Sequence, residues 1–256
     1  MKLFLGLMFL SFNLWGQVDV LQNFDKKVYT PRVKAITDLV VDVENERITK
    51  QLNDQKIFGQ VNKLVFRFYW TAQPERLAVE VVGLPEGFKE VKEELKSSVM
   101  AIFENVIPIS LEKKFSSFNL TKKSQNIIEA KAKDNLSAVD SFQIVFDNSS
   151  NLSQITTNRA VGEMVTKFVY DKTSFSDGRL VLKSQETLIE EAGQKVSLNK
   201  EISYQITAGA GFPQVVSVRT RQSGSKGNHE HREVFKFSNY MVNKGEALKF
   251  FLSESK

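Results

Sequence analysis

The stretch KLVFRFYW at residues 63–70 decides the fold of this chain, because its bulkiest apolar side chains recur at every second position. A second stretch, ERLAVEVVG at residues 75–83, has the same alternation. Successive side chains of a β-strand point to opposite faces, so every second residue of each stretch faces one side. The sequence therefore predicts neighbouring strands around a shared apolar interior. The inward set consists of Leu64, Phe66, Phe68, Trp70, Leu77, Val79 and Val81.

The same period of two recurs along most of the chain. It begins at Leu39, Val41 and Val43 and returns after residue 117, with turn-forming residues between the segments. The count is about eleven strands at the spacing typical of a sandwich or a barrel. Their centres lie near Val41, Phe68, Val79, Leu120, Ala130, Ile144, Val165, Leu182, Tyr204, Val216 and Phe235.

Two helices interrupt this pattern. Val18, Leu21 and Phe24 predict a short helix that ends before Pro31. Residues 88–106 then switch to a period of three and four, which predicts an amphipathic helix with one apolar stripe. The stripe consists of Phe88, Val91, Leu95, Val99, Ile102 and Val106. The fold class is therefore mainly β, in the α+β sense.

The N-terminus has the features of a secretory signal peptide. Residues 1–16, MKLFLGLMFLSFNLWG, combine the charge of Lys2 with a short apolar run and the small residue Gly16. The run is too short to span a bilayer, which takes about 20 apolar residues. A buried N-terminal strand or helix is the alternative. We expect export, with residues 17–256 as a single domain, because no later segment reads as a linker.

The chain contains no cysteine, which excludes both a lipid-modified cysteine at the cleavage site and a disulfide framework. The formal net charge of +5 is small for 256 residues, and the basic residues are spread along the chain. We therefore expect an ordinary solvated surface, no nucleic-acid partner and at most peripheral membrane contact. The protein is expected to be not lipidated and monomeric.

No motif in the chain predicts catalysis, a metal site or a cofactor. His229 and His231 share one face of an extended segment with Glu233, but the segment follows a polar turn and is expected to be solvated. No Gly-x-Ser-x-Gly is present, and Gly209–Gly211 lacks the lysine of a phosphate-binding loop. We therefore expect a protein that is not an enzyme.

Two segments resemble a known family. Trp70-Thr71-Ala72-Gln73-Pro74 is similar to the Trp-x-x-Arg-Pro segment of bacterial outer-membrane lipoprotein carriers, and residues 235–243, FKFSNYMVN, resemble the closing strand of related periplasmic proteins. Gln73 stands where the carriers have arginine, and their Asp-Gly-x-x-x-Trp segment is absent. The chain therefore resembles a divergent member of that superfamily.

The resemblance implies an unclosed antiparallel β-barrel whose concave face is covered by helices and whose cavity takes acyl chains. We expect the floor of that cavity at Phe66, Phe68, Trp70, Leu77, Val79 and Val81. We expect its lid at Val91, Leu95, Val99 and Ile102. The alternative is that these side chains form a filled core. Twenty phenylalanines supply apolar lining in either case.

Three functions are compatible with this pattern. The first is a periplasmic carrier that shields the acyl chains of a lipid or lipoprotein, between an inner-membrane donor and an outer-membrane acceptor. The second is an envelope sensor or adaptor that binds a protein partner on the same fold. The third is an outer-membrane barrel, which the long internal amphipathic helix and the ending LSESK at residues 252–256 disfavour.

Overall fold

The elements are given for the parts of the chain that the computed structural model describes, which are residues 15–56, 59–133, 139–191, 194–224 and 227–254. Five α-helices lie in these ranges: α1 Trp15–Lys27, α2 Glu46–Gln55, α3 Lys89–Val99, α4 Leu111–Lys114 and α5 Glu246–Glu254. Two 3₁₀ segments accompany them, Pro31–Lys34 and Met100–Asn105. The predicted N-terminal helix is confirmed as α1, and the predicted helix at residues 88–106 is α3 continued by the second 3₁₀ segment.

Twelve strands in the described residues form one open antiparallel sheet in the order β3-β2-β1-β12-β11-β10-β9-β8-β7-β6-β5-β4. The prediction of a mainly β chain with an unclosed antiparallel sheet is confirmed. The strands are β1 Asp38–Asn45, β2 Val65–Ala72, β3 Glu75–Val82, β4 Phe118–Ser124, β5 Ile127–Ala132, β6 Ser141–Phe146, β7 Leu152–Arg159, β8 Gly162–Lys172, β9 Leu180–Glu191, β10 Gln194–Thr207, β11 Ala210–Gly224 and β12 Gly227–Val242.

The predicted count of eleven strands was wrong because β7 has little apolar alternation. Its sequence LSQITTNR reads as an extension of the polar loop before it. Threonine nevertheless favours strands, since its branched Cβ fits a pleated surface. Thr156 and Thr157 are both buried between β6 and β8, so the neighbouring strands rather than the local pattern determine this element.

One face of the sheet, here called the inner face, carries the apolar sets predicted from the sequence. Its first cluster lies on β1–β3 and β10–β12 under α3, and its largest fully buried side chains include Phe66, Phe68 and Trp70. Phe68 stacks on Phe103 of the 3₁₀ segment with ring centroids 5.2 Å apart. The helical cover and the sheet are therefore in direct contact here.

A second cluster lies on the same face at the other end of the sheet. Leu21 and Phe24 of α1 and Leu111 of α4 pack there against β5, β6 and β7, around Ile128 and Ile144. The middle strands between the two clusters carry fewer large buried side chains. The helices thus cover the inner face at two separate places.

The opposite face of the sheet is the outer face, and α5 packs on it. Phe250 stacks on Tyr69 with ring centroids 3.9 Å apart, and Phe251 packs near Val40. The carboxylate of Asp38 accepts hydrogen bonds from the backbone N–H groups of Gly245 and Leu248, each at 2.9 Å, which holds the first turn of α5.

The predicted signal peptide, residues 1–16, lies outside the described residues except for residues 15 and 16, which open α1. It stays a prediction. Within the described ranges, no helix has the length and hydrophobicity needed to cross a membrane.

Candidate functional site

A cavity of about 420 Å³ separates the inner face of β7–β11 from the helical cover above it. Its roof comes from α1, the 3₁₀ segment Met100–Asn105, residues 106–111 and α4. Small-molecule sites in proteins have volumes of roughly 300–1,000 Å³, so one small apolar ligand can be accommodated. The cavity lies between the two apolar clusters and is lined by members of both, such as Ile202 of the first and Phe115 of the second.

Short side chains occupy part of the floor of the cavity, beside longer ones such as Met164 and Tyr204. Thr157 of β7 and Thr166 of β8 line it, in contrast to the Phe and Trp side chains that fill the inner face at β2. The hydroxyl of Thr166 is 3.1 Å from that of Thr187 on β9, within hydrogen-bond distance. This mutual hydrogen bond satisfies two buried hydroxyls, so that the floor is less polar than its composition suggests.

The walls are aromatic and come from both ends of the cavity. Phe24 of α1 meets Tyr170 of β8 edge to face at 5.6 Å, and Phe115 meets Phe142 in the same way at 5.1 Å. Edge-to-face pairs hold rings in defined orientations, which gives the walls a fixed shape. Burial raises the pKa of Tyr170 far above its usual range, so this phenol stays neutral.

The roof is fastened to the sheet by specific polar contacts. The Asp25 carboxylate at the end of α1 accepts hydrogen bonds from the backbone N–H groups of Leu111 and Glu112, at 2.8 and 3.1 Å. Burial raises the pKa of Asp25, although these two bonds act in the opposite direction. The backbone N–H of Tyr29 donates to the carbonyl of Leu180 on β9 at 2.8 Å. Together these contacts tie α1 to α4 and to the sheet.

The mouth of the cavity carries charged and exposed groups. Glu104 and Lys114 form an ion pair at 3.6 Å, with about half of each side chain exposed. Ile109 lies beside them on the roof and is 44% exposed. Among the described residues on the floor, one carries an ammonium group that reaches the cavity. This residue is Lys200 on β10. The cavity is therefore apolar with one cationic point on its floor.

The residues predicted as floor and lid do not line this cavity. Phe66, Phe68, Trp70, Val79, Val81 and Val99 are buried in the first cluster, and Val91, Leu95 and Ile102 pack against it partly buried. Leu77 is 39% exposed at the edge strand β3. Apart from Leu77, the structure thus brings the predicted floor and lid together, but into a filled core.

Sequence reasoning missed the residues that do line the cavity, above all Ile155, Met164 and Thr166. Their strands, β7 and β8, have weak apolar alternation. The available signal was indirect: Phe24 lies on the predicted N-terminal helix, and that helix has to cover some part of the sheet.

The histidines considered as metal ligands lie apart from the cavity. His229 and His231 are exposed on β12, and the carboxylate of Glu233 accepts a hydrogen bond from Arg47 of α2 at 2.8 Å. In the described ranges no cluster of three or more His, Cys, Asp or Glu side chains is placed to bind a metal ion.

Comparison of this chain with protein-family models, with curated proteins and with solved structures finds no match.

Proposed function

We propose that this protein is an exported, periplasmic carrier that binds and shields an acyl chain of a lipid or lipoprotein in the cavity under α1 and α4. The observation that carries the proposal is the cavity itself. Its lining is mainly apolar, its walls are aromatic, and a few polar contacts hold its cover in place. Burying an acyl chain would contribute about 0.8 kcal/mol for each methylene group.

In this proposal the open sheet curves as a half-barrel, with the cavity on its concave side. The first cluster is the rigid part, since Phe68 and Phe103 already fill the space between sheet and cover. The roof over the cavity is the part that moves, because only a few polar contacts hold it and the Glu104–Lys114 pair among them is half exposed. Binding and release need no bond chemistry, so the protein works as a monomeric carrier between a donor and an acceptor membrane.

A cavity-filling substitution tests this proposal. Met164 lines the cavity from β8, whereas Val169 on the same strand is 51% exposed. Met164→Trp places a large ring in empty space and is expected to reduce binding of the uncharged apolar dye N-phenyl-1-naphthylamine at least tenfold. Val169→Trp, the matched control, is expected to bind the dye as the wild type does. Dye fluorescence titrations measure both affinities.

Thermal unfolding of the two variants accompanies the titrations. Because Met164→Trp fills a void, its Tm is expected to stay within a few degrees of the wild-type value. Equal dye binding by wild type and a folded Met164→Trp would show that the dye binds elsewhere, and the proposed function would then fail.

A further inference from the structure

The cationic group in the cavity comes from the centre of β10. Lys200 lies opposite Gln185 of β9 and Val218 of β11 in the sheet register, and its side chain reaches the cavity from the inner face. Gln185 lines the same cavity and carries an amide beside the lysine. The amide donates a weak hydrogen bond of 3.4 Å to Thr187. An ammonium and a second N–H donor thus lie side by side on an otherwise apolar floor.

Among the residues that the structure describes, none provides a dedicated counter-ion for Lys200. In the described parts of the chain no carboxylate lies within 4.0 Å of its Nζ atom, and no hydrogen bond from that atom is formed. The charged groups that act on the Lys200 ammonium group are those of Glu104 and Lys114, which form an ion pair with each other. A charge in an apolar site is costly unless it is paired. Burial accordingly lowers the pKa of Lys200 to about 8.

A ligand can supply the missing anion. We propose that Lys200 anchors the anionic head of the ligand, so that the ligand is a single-chain amphiphile with a carboxylate or phosphate group. The head would lie against Lys200 and Gln185, and the chain would run between Phe24, Phe115 and Tyr170. This inference rests on the proposed function and adds the chemical class of the ligand to it. Charge-assisted hydrogen bonds are about twice as strong as neutral ones, which would favour an acid over an alcohol.

Three probes with the same chain test the inference: dodecanol, dodecanoate and dodecyl phosphate. The purified protein is titrated with each at pH 7 by calorimetry, and the dissociation constants are compared. We expect at least one of the two anionic probes to bind at least tenfold more tightly than dodecanol. Tighter binding of dodecanoate would indicate a fatty-acid head, and tighter binding of dodecyl phosphate would indicate a lipid phosphate.

Substitutions at Lys200 assign the preference to this residue. Lys200→Met is expected to abolish the preference for the anion, so that dodecanol binds as tightly as the anionic probes or more tightly. Lys200→Arg keeps the charge and is expected to retain part of the preference. Lys195→Met is the matched control, because Lys195 lies on the same strand, is mostly exposed and pairs with Glu190 at 2.7 Å. Its preference is expected to equal that of the wild type.

The dependence on pH adds a readout that a purely structural role of Lys200 would not produce. The preference for dodecanoate is expected to be constant between pH 6 and 7 and to fall above about pH 8, where Lys200 loses its proton. The other titratable groups around the cavity are Asp25, Tyr29, Glu104, Lys114, Tyr170 and Tyr204. Burial raises the pKa of all three tyrosines, so they stay neutral in this range.

The outcomes separate this inference from the proposed function. Equal binding of dodecanol and both anions, or an undiminished preference in Lys200→Met, would overturn the anchor while leaving an apolar ligand site in place. No binding of any of the three probes would overturn both.

Discussion

At the scale of single residues, Lys200 is expected to weaken the empty protein. Its pKa falls from about 10.4 in an unfolded chain to about 8 in the folded one. The folded state therefore binds fewer protons than the unfolded state between these two values, and stability rises with pH through that window. Below about pH 8 Lys200 is charged in both the folded and the unfolded state, and it destabilises the folded state to the full extent.

Lys200→Met should therefore stabilise the ligand-free protein. At pH 7 we expect its free energy of unfolding to rise by about 1 kcal/mol, a discounted figure because the side chain is only partly buried. The gain should shrink by pH 10, where wild-type Lys200 is itself neutral. Urea unfolding at both pH values measures it, with Lys195→Met as a control that should stay within about 0.5 kcal/mol of wild type. A loss of stability at pH 7 in Lys200→Met would mean that the ammonium is already well satisfied.

The residues that line the cavity were hard to predict, because a local sequence pattern shows only which face of a strand a side chain lies on. The alternation of Phe66, Phe68 and Trp70 correctly placed them on the inner face, because side-chain direction in a strand depends only on position. Whether that face is filled depends on a distant partner, here Phe103 from the 3₁₀ segment. Thr157 and Thr166 line part of the cavity floor, and a polar hydroxyl gives no sign in the sequence that its residue is buried.

At the scale of elements, the cover divides into two parts with different roles. Leu95 of α3 packs on the filled first cluster, whereas Ile109 lies in the roof over the cavity, between the 3₁₀ segment and α4. The sequence predicted a lid on the long amphipathic helix because an apolar stripe is a local signal. The roof uses residues 106–111, which have no regular period.

Placing the same charge in both parts distinguishes their roles. Ile109→Asp, at an exposed position, is expected to lower the affinity for N-phenyl-1-naphthylamine at least fivefold with little change in stability. Leu95→Asp is expected to reduce the free energy of unfolding by about 2 kcal/mol but to bind the dye normally while folded. Dye titration and urea unfolding measure the two effects. Loss of binding in Leu95→Asp alone would restore α3 as the lid.

Two other helices, α2 and α5, were not predicted from the sequence pattern, for physical reasons. The helix α2 is mainly polar and buries only Leu52, and its start depends on Asn45, whose side chain accepts hydrogen bonds from the backbone of Arg47 and Ile48. The helix α5 lies on the outer face, which alternation alone marks as solvent-facing. Tyr69 and Phe250 cover part of that face. Both elements depend on capping or on partners far away in the sequence.

At the scale of the whole molecule, the sheet order follows the chain except at two places. Neighbouring strands are consecutive along the sequence apart from β1, which pairs with β12, and β3 and β4, which form the two edges. Consecutive antiparallel pairing is the usual arrangement, and the class of fold was predicted from the alternation and spacing of the strands. The pairing of β1 with β12 joins residues almost 200 positions apart, for example Asp42 with Ser238, and no local pattern encodes it.

Native mass spectrometry shows directly whether the space between the two clusters holds an acyl chain. The protein is exported to a bacterial periplasm from the full chain and purified without detergent. It is then measured intact and after extraction with organic solvent. We expect an added mass near that of one acyl-chain amphiphile per protein, released by extraction and absent from Met164→Trp. A bare protein mass, unchanged after incubation with lipid, would show that no acyl chain is bound and would favour a protein partner instead.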